Sequence, residues 1–224
     1  MSESLNIRKM DVDTPLGVVH LAAFPKGGQG LSHRDVIFEI LSRYTGREVS
    51  ANNLTKVRGI LDGASSRGER PSFLSLDFDV NWTHSGGECV VAFGEKGSLD
   101  CGTGLHLGVD MEMHNPRRLP VANRFFSLEE KALLKGFSPS GDLQCPDVDA
   151  ENRCVREFFR LWCRKEAFYK CVGGSFFEGA VGRNMLDNPL VLRIAELPPS
   201  PLQVHFVDLP WGKNASLCIA VCRT

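Results

Sequence analysis

Residues 77–93 read DFDVNWTHSGGECVVAF, two runs of strand-forming residues on either side of a Ser-Gly-Gly turn at 85–87. This pattern predicts a β-hairpin. The pattern recurs near the end of the chain, where residues 204–222 read VHFVDLPWGKNASLCIAVC. A helix is predicted ahead of each hairpin, over residues 34–44 and 151–172, from the helical spacing of apolar residues. The repeat predicts an α+β fold of two similar halves, residues 1–104 and 105–224.

Length and composition are those of a globular protein. The 224 residues are 42% hydrophobic and 24% charged, and the formal net charge is -1. This composition excludes disorder as the default state. No apolar run approaches the roughly 20 residues of a membrane-spanning helix, and a near-neutral charge argues against nucleic acid as a partner. Residues 1–17 show no apolar export signal, and none of the eight cysteines forms a CxxC pair. We therefore expect reduced thiols in a cytoplasmic protein, with Cys89, Cys218 and Cys222 as small core residues.

Another predicted strand, residues 104–112, carries two acidic side chains on one face. Asp110 and Glu112 are two residues apart, so their carboxylates project from the same side of a strand. Paired anions repel one another unless a cation lies between them, and carboxylate oxygens suit Mg²⁺. The alternative is a strand face exposed to solvent.

The predicted long helix contains a charged residue where an apolar one is expected. Its apolar stripe is formed by Val155, Phe159 and Trp162, which we expect in the core. Glu166 falls in the middle of this stripe, with Lys170 at one edge and Lys165 on the other flank. A buried carboxylate needs a partner, which is either Lys170, as an i, i+4 ion pair, or a metal shared with the acidic strand. Glu157 and Arg164 are expected on the opposite, solvated face.

Two shorter patterns carry hydrogen-bonding groups. The turn Thr83-His84-Ser85-Gly86-Gly87 could donate several hydrogen bonds to a phosphate, or it could be an ordinary polar hairpin turn. Ser127 and Glu130 have the spacing of a capping box ahead of a short helix over residues 128–135.

Together these pieces resemble the 4′-phosphopantetheinyl transferases, specifically the long, monomeric, two-halved type. Residues 81–86 (NWTHSG) are similar to the family's N-[ILV]-S-H-S, and residues 108–112 (GVDME) to G-[VI]-D-x-E. Residues 124–130 (RFFSLEE) resemble R-x-F-x-x-x-E, and residues 162–170 (WCRKEAFYK) resemble W-x-x-K-E-[AS]-x-x-K. Residues 68–71 (GERP) stand in the place of G-K-P. The chain departs from the family in having Thr83 for Ser and Arg70 for Lys, which are not fully interchangeable.

The resemblance implies an activity and an architecture. The family transfers phosphopantetheine from coenzyme A to a serine of an apo acyl or peptidyl carrier protein, and releases 3′,5′-ADP. Its carriers serve fatty-acid, polyketide and nonribosomal-peptide synthesis. The two halves are related by a pseudo-twofold axis, and coenzyme A binds in the cleft between them. A monomer is implied.

The resemblance also implies roles for particular residues. The Mg²⁺ ligands would be Asp110, Glu112 and Glu166. Contacts with the phosphates and the nucleotide of coenzyme A would come from Arg70, His84, Ser85, Lys165 and Lys170. His84 would meet the 3′-phosphate, and Lys170 would stabilise charge on the departing 3′,5′-ADP. Glu166 is the first candidate for the base that activates serine and Glu130 the second, although Glu130 could serve only the capping box.

Two other classes of protein remain possible at the level of sequence. The first is a non-catalytic module that binds coenzyme A or a carrier protein, which the intact acidic pair and Lys170 argue against. The second is another Mg²⁺-dependent enzyme acting on nucleotides, although the chain contains no GxxxxGK[ST] loop and no GxGxxG after a strand.

Overall fold

A computed structural model describes residues 6–27, 32–44, 55, 59, 78–95, 104–138, 141, 143, 152–173, 181–192 and 201–223. These residues form two four-stranded antiparallel sheets with helices packed against them. The first sheet has the order β1-β2-β4-β3, with β1 Arg8–Thr14, β2 Gly17–Pro25, β3 Phe78–Ser85 and β4 Glu88–Glu95. The second has the order β5-β8-β7-β6, with β5 Leu105–Met113, β6 Leu190–Leu192, β7 Leu202–Pro210 and β8 Ala215–Arg223.

Several helical segments accompany the sheets in the described part of the chain. Helix α1 covers His33–Tyr44, and a 3₁₀ helix covers Pro116–Val121. The short α2 covers Ala122–Phe125, α3 covers Leu128–Phe137, and the 20-residue α4 covers Arg153–Val172. No helix among the described residues is long and apolar enough to cross a membrane.

The two sheets share one order of elements, which confirms the predicted α+β fold of two similar halves. In the first half the chain runs from β2 through α1 to the β3–β4 hairpin, and in the second from β5 through α4 to the β7–β8 hairpin. The corresponding strands lie in the same order, β2-β4-β3 and β5-β8-β7. Strands β1 and β6 are additions at the edges. The sequence analysis identified both hairpins and both helices but missed β1, β2 and β6.

Alternation of side chains along the strands produces the layers. One apolar cluster lies between the two sheets and includes Val19, Leu21, Val90, Leu107, Val109, Ile219 and Val221. The opposite face of the first sheet packs against α1, and that of the second against α4. Leu105, Leu107, Val109 and Met111 all face the inter-sheet cluster, as predicted. Their neighbours in β5, including Asp110 and Glu112, therefore face the α4 side.

The edge strands β3 and β5 are joined by side chains rather than by a backbone ladder. Four polar side chains on one face of β3 accept hydrogen bonds, namely Asp79, Asn81, Thr83 and Ser85. Their donors are the backbone N–H groups of Leu107, Val109, Met111 and Met113, at 2.9, 3.3, 3.3 and 3.1 Å. We call this arrangement the side-chain ladder. It satisfies backbone donors of β5 that would be costly to bury without partners.

Helix α4 begins and ends where the sequence predicts. The Asn152 side chain accepts a hydrogen bond from Cys154 N at 2.8 Å, and the helix ends at Gly173, which has a φ of 78°. Phe159 and Trp162 are buried, as expected for core residues. The predicted solvated position of Arg164 is wrong. Its guanidinium pairs with Asp208 at 2.6 Å and is buried, because β7 and residues 181–192 cover this side of the helix.

The described cysteines behave as small core residues. Six are buried thiols outside any disulfide, namely Cys89, Cys154, Cys163, Cys171, Cys218 and Cys222. Burial raises the pKa of the Cys89 thiol to about 12 and that of the Cys163 thiol well above its ordinary value. The Cys89 and Cys163 thiols are therefore protonated and unreactive at neutral pH. Cys101 and Cys145 lie outside the described residues.

Gly108 allows α4 to approach β5 closely. A Cβ atom at this position would lie 2.1 Å from the carbonyl oxygen of Ala167 and 2.6 Å from the backbone nitrogen of Cys171. Both neighbours are backbone atoms of the helix, so they cannot move aside as a flexible side chain could. The glycine thus sets the distance between α4 and the acidic face of β5.

Replacing Gly108 by alanine should force these elements apart. We expect Gly108→Ala to lower the free energy of unfolding by about 2–4 kcal/mol, through overpacking that the helix backbone cannot relieve. Urea denaturation measures the change. Gly136→Ala in α3 is the matched control, because a Cβ there meets no atom within 4 Å. Alanine at Gly136 should be neutral or slightly stabilising, and an equal loss at both positions would contradict the steric argument.

Candidate active site

Asp110 is the buried centre of a polar cluster between β5, β3 and α4. Its Oδ1 atom accepts hydrogen bonds from Lys170 Nζ at 2.8 Å and from Thr83 Oγ1 at 3.1 Å. Its Oδ2 atom is buried and has no hydrogen-bond partner among the described residues. An unsatisfied buried carboxylate oxygen is costly, so a cation that reached this atom would be stabilising.

Glu112 lies two residues further along β5, on the same face. Ser85 donates a hydrogen bond to its Oε2 atom at 3.2 Å, and Arg118 forms an ion pair with its Oε1 atom at 3.0 Å. Ser85 itself accepts the last hydrogen bond of the side-chain ladder, from Met113 N at 3.1 Å. The ladder therefore positions this carboxylate as well as Asp110.

Glu166 brings a third carboxylate to the cluster from α4. Burial raises the pKa of its carboxyl group to about 7, and the charge of Asp110 adds to the increase, while Lys170 and Arg118 oppose it. A group with this pKa can hold or release a proton near neutral pH. The site thus combines two carboxylates on a strand with one on a facing helix.

Lys170 pairs with Asp110 rather than with Glu166. Its Nζ atom also donates to the carbonyl oxygen of Val109 at 3.0 Å. Burial works to lower the pKa of Lys170, but the charge of Asp110 and their hydrogen bond outweigh it and raise the pKa overall. The lysine is therefore cationic. The interpretation of Glu166 and Lys170 as a simple i, i+4 pair does not hold, because the described residues include no ion pair between them.

The donor set of this cluster suits a magnesium ion, although the carboxylates do not already surround a metal position. No group of three His, Cys, Asp or Glu side chains in the described part of the chain has metal-binding geometry. Asp110 and Glu112 are instead neutralised by Lys170 and Arg118. The available Oδ2 atom of Asp110 and the partly buried carboxylate of Glu166 are oxygen ligands of the kind that Mg²⁺ takes.

Two basic side chains meet at the turn that follows β3. His84 lies at the end of the strand, and Lys26 Nζ is 3.5 Å from its Nδ1 atom. Lys26 is held there because its backbone N–H donates to the carbonyl oxygen of Gly87 at 2.8 Å. The sequence analysis missed Lys26. Recognition of β2 as the neighbour of β4 would have been needed to bring it to this turn.

Two other predicted site residues pair with one another. Lys165 and Glu130 are fully buried and form an ion pair at 2.9 Å. Glu130 also accepts from Ser127 N at 2.7 Å, which completes the predicted capping box, and from Met185 N at 2.9 Å. Lys165 donates to the carbonyl oxygen of Arg183 at 2.5 Å. The structure therefore places this pair in the packing of α3 against α4. Arg70 lies outside the described residues.

Comparison with known proteins shows the family of this chain. Residues 106–222 match the family described as the 4′-phosphopantetheinyl transferase superfamily. The match covers just over half of the chain and includes both the acidic strand and α4, and the chain belongs to this superfamily.

Two curated relatives share part of the sequence. The chain is similar to 4′-phosphopantetheinyl transferase AcpT of Escherichia coli strain K12, with 27% identity over 136 residues, which cover 59% of this chain and 58% of that protein. The protein of the same name from Escherichia coli O157:H7 gives the same identity and coverage. The matched region thus spans less than two thirds of either relative.

The raised pKa of Glu166 leads to a prediction about stability and pH. The folded state binds this proton more tightly than the unfolded chain, so stability falls as the pH rises from about 4.5 to above 7. Without divalent ions, Glu166→Gln should therefore be more stable than the parent at pH 8, by about 1–3 kcal/mol. The difference should vanish near pH 4.5. Urea denaturation at both pH values measures it.

The exposed Glu95 provides the control for this experiment. Glu95→Gln should leave the dependence of stability on pH unchanged, because the side chain lies at the exposed end of β4. A Glu166→Gln variant that is less stable than the parent at pH 8 would show that the carboxylate is favourably paired rather than strained.

Proposed function

We propose that this protein transfers the 4′-phosphopantetheinyl group from coenzyme A to a serine of an apo carrier protein and releases 3′,5′-ADP. The observation that carries the proposal is the convergence of Asp110, Glu112 and Glu166 with Lys170 at the meeting point of β5 and α4. Membership of the superfamily and the names of the two AcpT relatives support the same activity. The protein is thus proposed to be a transferase.

The three carboxylates would hold a Mg²⁺ ion beside the pyrophosphate of coenzyme A. When bound, the ion would offset negative charge on the pyrophosphate and on the transferred phosphoryl oxygens. The buried Oδ2 atom of Asp110, which no described residue satisfies, supports this assignment.

Glu166 and Lys170 have different roles in the proposed reaction: Glu166 transfers a proton, and Lys170 stabilises negative charge. Glu166 accepts the proton of the carrier's serine hydroxyl, and the serine oxygen forms the new bond to phosphorus. The bond from that phosphorus to the bridging oxygen breaks, and its electron pair leaves with 3′,5′-ADP. Without a metal ion the pKa of Glu166 is about 7, so the group can exchange a proton near neutral pH. A bound Mg²⁺ would lower this pKa and keep Glu166 ready to accept a proton. Lys170 remains charged and would stabilise the departing phosphate.

The remaining contacts to coenzyme A are proposed at the turn after β3. His84 would bind the 3′-phosphate, and the proximity of Lys26 supports this because two basic groups favour a phosphate more than one. Ser85 would act by orienting Glu112 rather than by contacting phosphate, since its hydroxyl donates to that carboxylate. Arg70 is proposed as a nucleotide contact from the resemblance alone.

Glu130 and Lys165 receive a different role in this proposal. The resemblance made Glu130 the second candidate base and Lys165 a contact to coenzyme A. Both side chains are buried, and they neutralise one another. We propose that the pair fixes α3 against α4 and thereby supports Glu166, which leaves Glu166 as the base.

The wider assignment follows from the same proposal. The halves 1–104 and 105–224 would form the two sides of the binding cleft in one chain, so a monomer suffices. The carrier would be an acyl or peptidyl carrier protein of fatty-acid, polyketide or nonribosomal-peptide synthesis. Six buried thiols outside disulfides agree with a cytoplasmic location.

Mass spectrometry of a carrier protein tests the proposed reaction directly. An apo carrier incubated with the protein, coenzyme A and Mg²⁺ should gain the mass of one phosphopantetheinyl group on serine. Asp110→Asn should reduce single-turnover transfer by at least about a hundredfold, because it removes a ligand of the proposed metal ion, whose charge would stabilise the transition state. Asp13→Asn, an exposed carboxylate in β1, is the matched control and should be fully active.

The outcome distinguishes the alternatives. Binding of coenzyme A or carrier without any gain of mass would favour the non-catalytic module. Normal transfer by Asp110→Asn would remove the metal and charge assignments while leaving the transferase class in place.

The His84 assignment has its own test in ligand affinity. His84→Ala should weaken binding of coenzyme A about tenfold, or roughly 1.4 kcal/mol, and binding of dephospho-coenzyme A far less, because only the former carries the 3′-phosphate. Lys26→Ala should show the same selectivity. Calorimetric titration with both ligands measures it. Equal losses for the two ligands would mean that His84 contacts another part of the molecule.

A further inference from the structure

Glu112 has both of its carboxylate oxygens engaged, in contrast to Asp110. Ser85 occupies Oε2 at 3.2 Å, and the Nη1 atom of Arg118 lies 3.0 Å from Oε1. Asp110 keeps its Oδ2 atom available. The two carboxylates of the acidic strand therefore differ in how readily they can accept a further cation, and Arg118 makes the difference.

The backbone of Arg118 is held rigidly at this position. Arg118 lies in the 3₁₀ helix Pro116–Val121, whose cap is the side chain of Asn115, which accepts from Arg117 N at 3.1 Å. Arg118 N donates to the carbonyl oxygen of Asn115 at 2.9 Å. The next residue, Leu119, is buried and anchors the segment. Movement of the guanidinium must therefore come from its side-chain torsions.

Aromatic rings provide a second support for the guanidinium. Its Cζ atom lies 5.2 Å from the centre of the Trp162 ring and 5.9 Å from that of Phe159. A cation at this distance is attracted to the face of an aromatic ring. About a third of the side chain, 36%, is exposed. Arg118 can therefore leave Glu112 and remain close to the cluster.

The balance of charge at the cluster leads to the inference. Three carboxylates face two cations, Lys170 on Asp110 and Arg118 on Glu112. A divalent ion bound to Glu112 would have to share that carboxylate with the guanidinium, and the two positive charges repel one another. We infer that Arg118 is the resident counter-ion of Glu112 and competes with the divalent metal for this carboxylate. Arg118 thereby sets the metal affinity of the site, an inference that rests on the metal site proposed above.

Arg118 would have two positions, each with a different effect on the charge of the cluster. Paired with Glu112, it limits repulsion among the carboxylates when no metal is bound. Released from Glu112, it would retain its contact with the Trp162 ring and leave a positive charge beside the anionic substrate. A metal-binding site that is already partly neutralised binds metal more weakly than three unpaired carboxylates would.

The neighbouring Arg117 provides a matched control. It lies on the same 3₁₀ helix, carries the same charge and is exposed, with no ion pair to any described residue. The probe is Mn²⁺, whose free concentration is measured by electron paramagnetic resonance during titration of the full chain with coenzyme A present. Arg118→Ala should bind Mn²⁺ about three- to tenfold more tightly than the parent. Arg117→Ala should stay within about twofold.

The direction of the change in Mn²⁺ affinity shows whether Arg118 competes with the metal ion or orients Glu112 to bind it. Unchanged or weaker Mn²⁺ binding by Arg118→Ala would overturn the inference, since an arginine that only oriented Glu112 would weaken binding when removed. Arg118→Lys should fall between parent and alanine, because it keeps the charge but loses the planar contact with the ring. A parent that binds no Mn²⁺ would overturn the proposed metal site as well, which separates the two failures.

Tryptophan fluorescence provides a second readout that does not depend on activity. Mn²⁺ quenches fluorescence by itself, so this titration uses Mg²⁺. Binding of Mg²⁺ should change the emission of the parent as the guanidinium shifts over Trp162, and Trp162→Phe should lose that change. Arg118→Ala should lose it too, whereas Arg117→Ala should retain it. A full emission change in Arg118→Ala would show that the arginine does not move with the metal and would contradict the inference.

Discussion

The hydrogen bonds from the backbone of β5 to the side chains of β3 are the constraint on which the site depends. In a sheet, neighbouring strands exchange backbone hydrogen bonds, but here the donors of β5 meet Asp79, Asn81, Thr83 and Ser85. Two of these acceptors, Thr83 and Ser85, also donate to Asp110 and Glu112. The contact that joins the two halves therefore also orients the acidic pair. A shift of β3 along β5 would break the hydrogen bonds that join the two halves and would also misplace the acidic pair. The same register of β3 against β5 is therefore required for both.

Close approach of α4 provides the other half of the site. The missing side chain at Gly108 lets the helix backbone lie against β5, and Lys170 can then reach both Asp110 and the carbonyl oxygen of Val109. Burial of Glu166 against this face, together with the nearby charges of Asp110 and Glu112, raises its pKa to about 7. Each carboxylate thus differs from the others in its partner: a lysine for Asp110, an arginine for Glu112, and none among the described residues for Glu166. Such divergence among neighbouring acids separates their roles.

The sequence predicts the elements that follow a simple periodicity, together with the residues that break it. The two hairpins, α1, α3 with its capping box, and α4 all follow local signals, and Glu166 stands out because it interrupts an apolar stripe. Pairings between distant residues were not predictable in this way. Three ion pairs depend on which elements pack together: Lys170 with Asp110, Arg164 with Asp208, and Lys165 with Glu130. Lys26 was missed because β2 carries no motif and becomes a neighbour of the turn only in the folded sheet.

The segment Asn81–Gly86 has two structural roles, one on each face of the strand. Alternate residues of β3 point to opposite faces. Asn81, Thr83 and Ser85 belong to the side-chain ladder, and Trp82 and His84 lie on the opposite face of the strand. At the ladder positions, what matters is an acceptor oxygen one or two bonds beyond Cβ, and threonine can replace serine without loss of that oxygen. Selection would therefore tolerate different substitutions at the odd-numbered and the even-numbered positions of β3. The odd positions tolerate exchange among polar residues that preserve the junction. Among the even positions, Trp82 is constrained by packing against the apolar cluster of the first sheet, and His84 can change with the ligand.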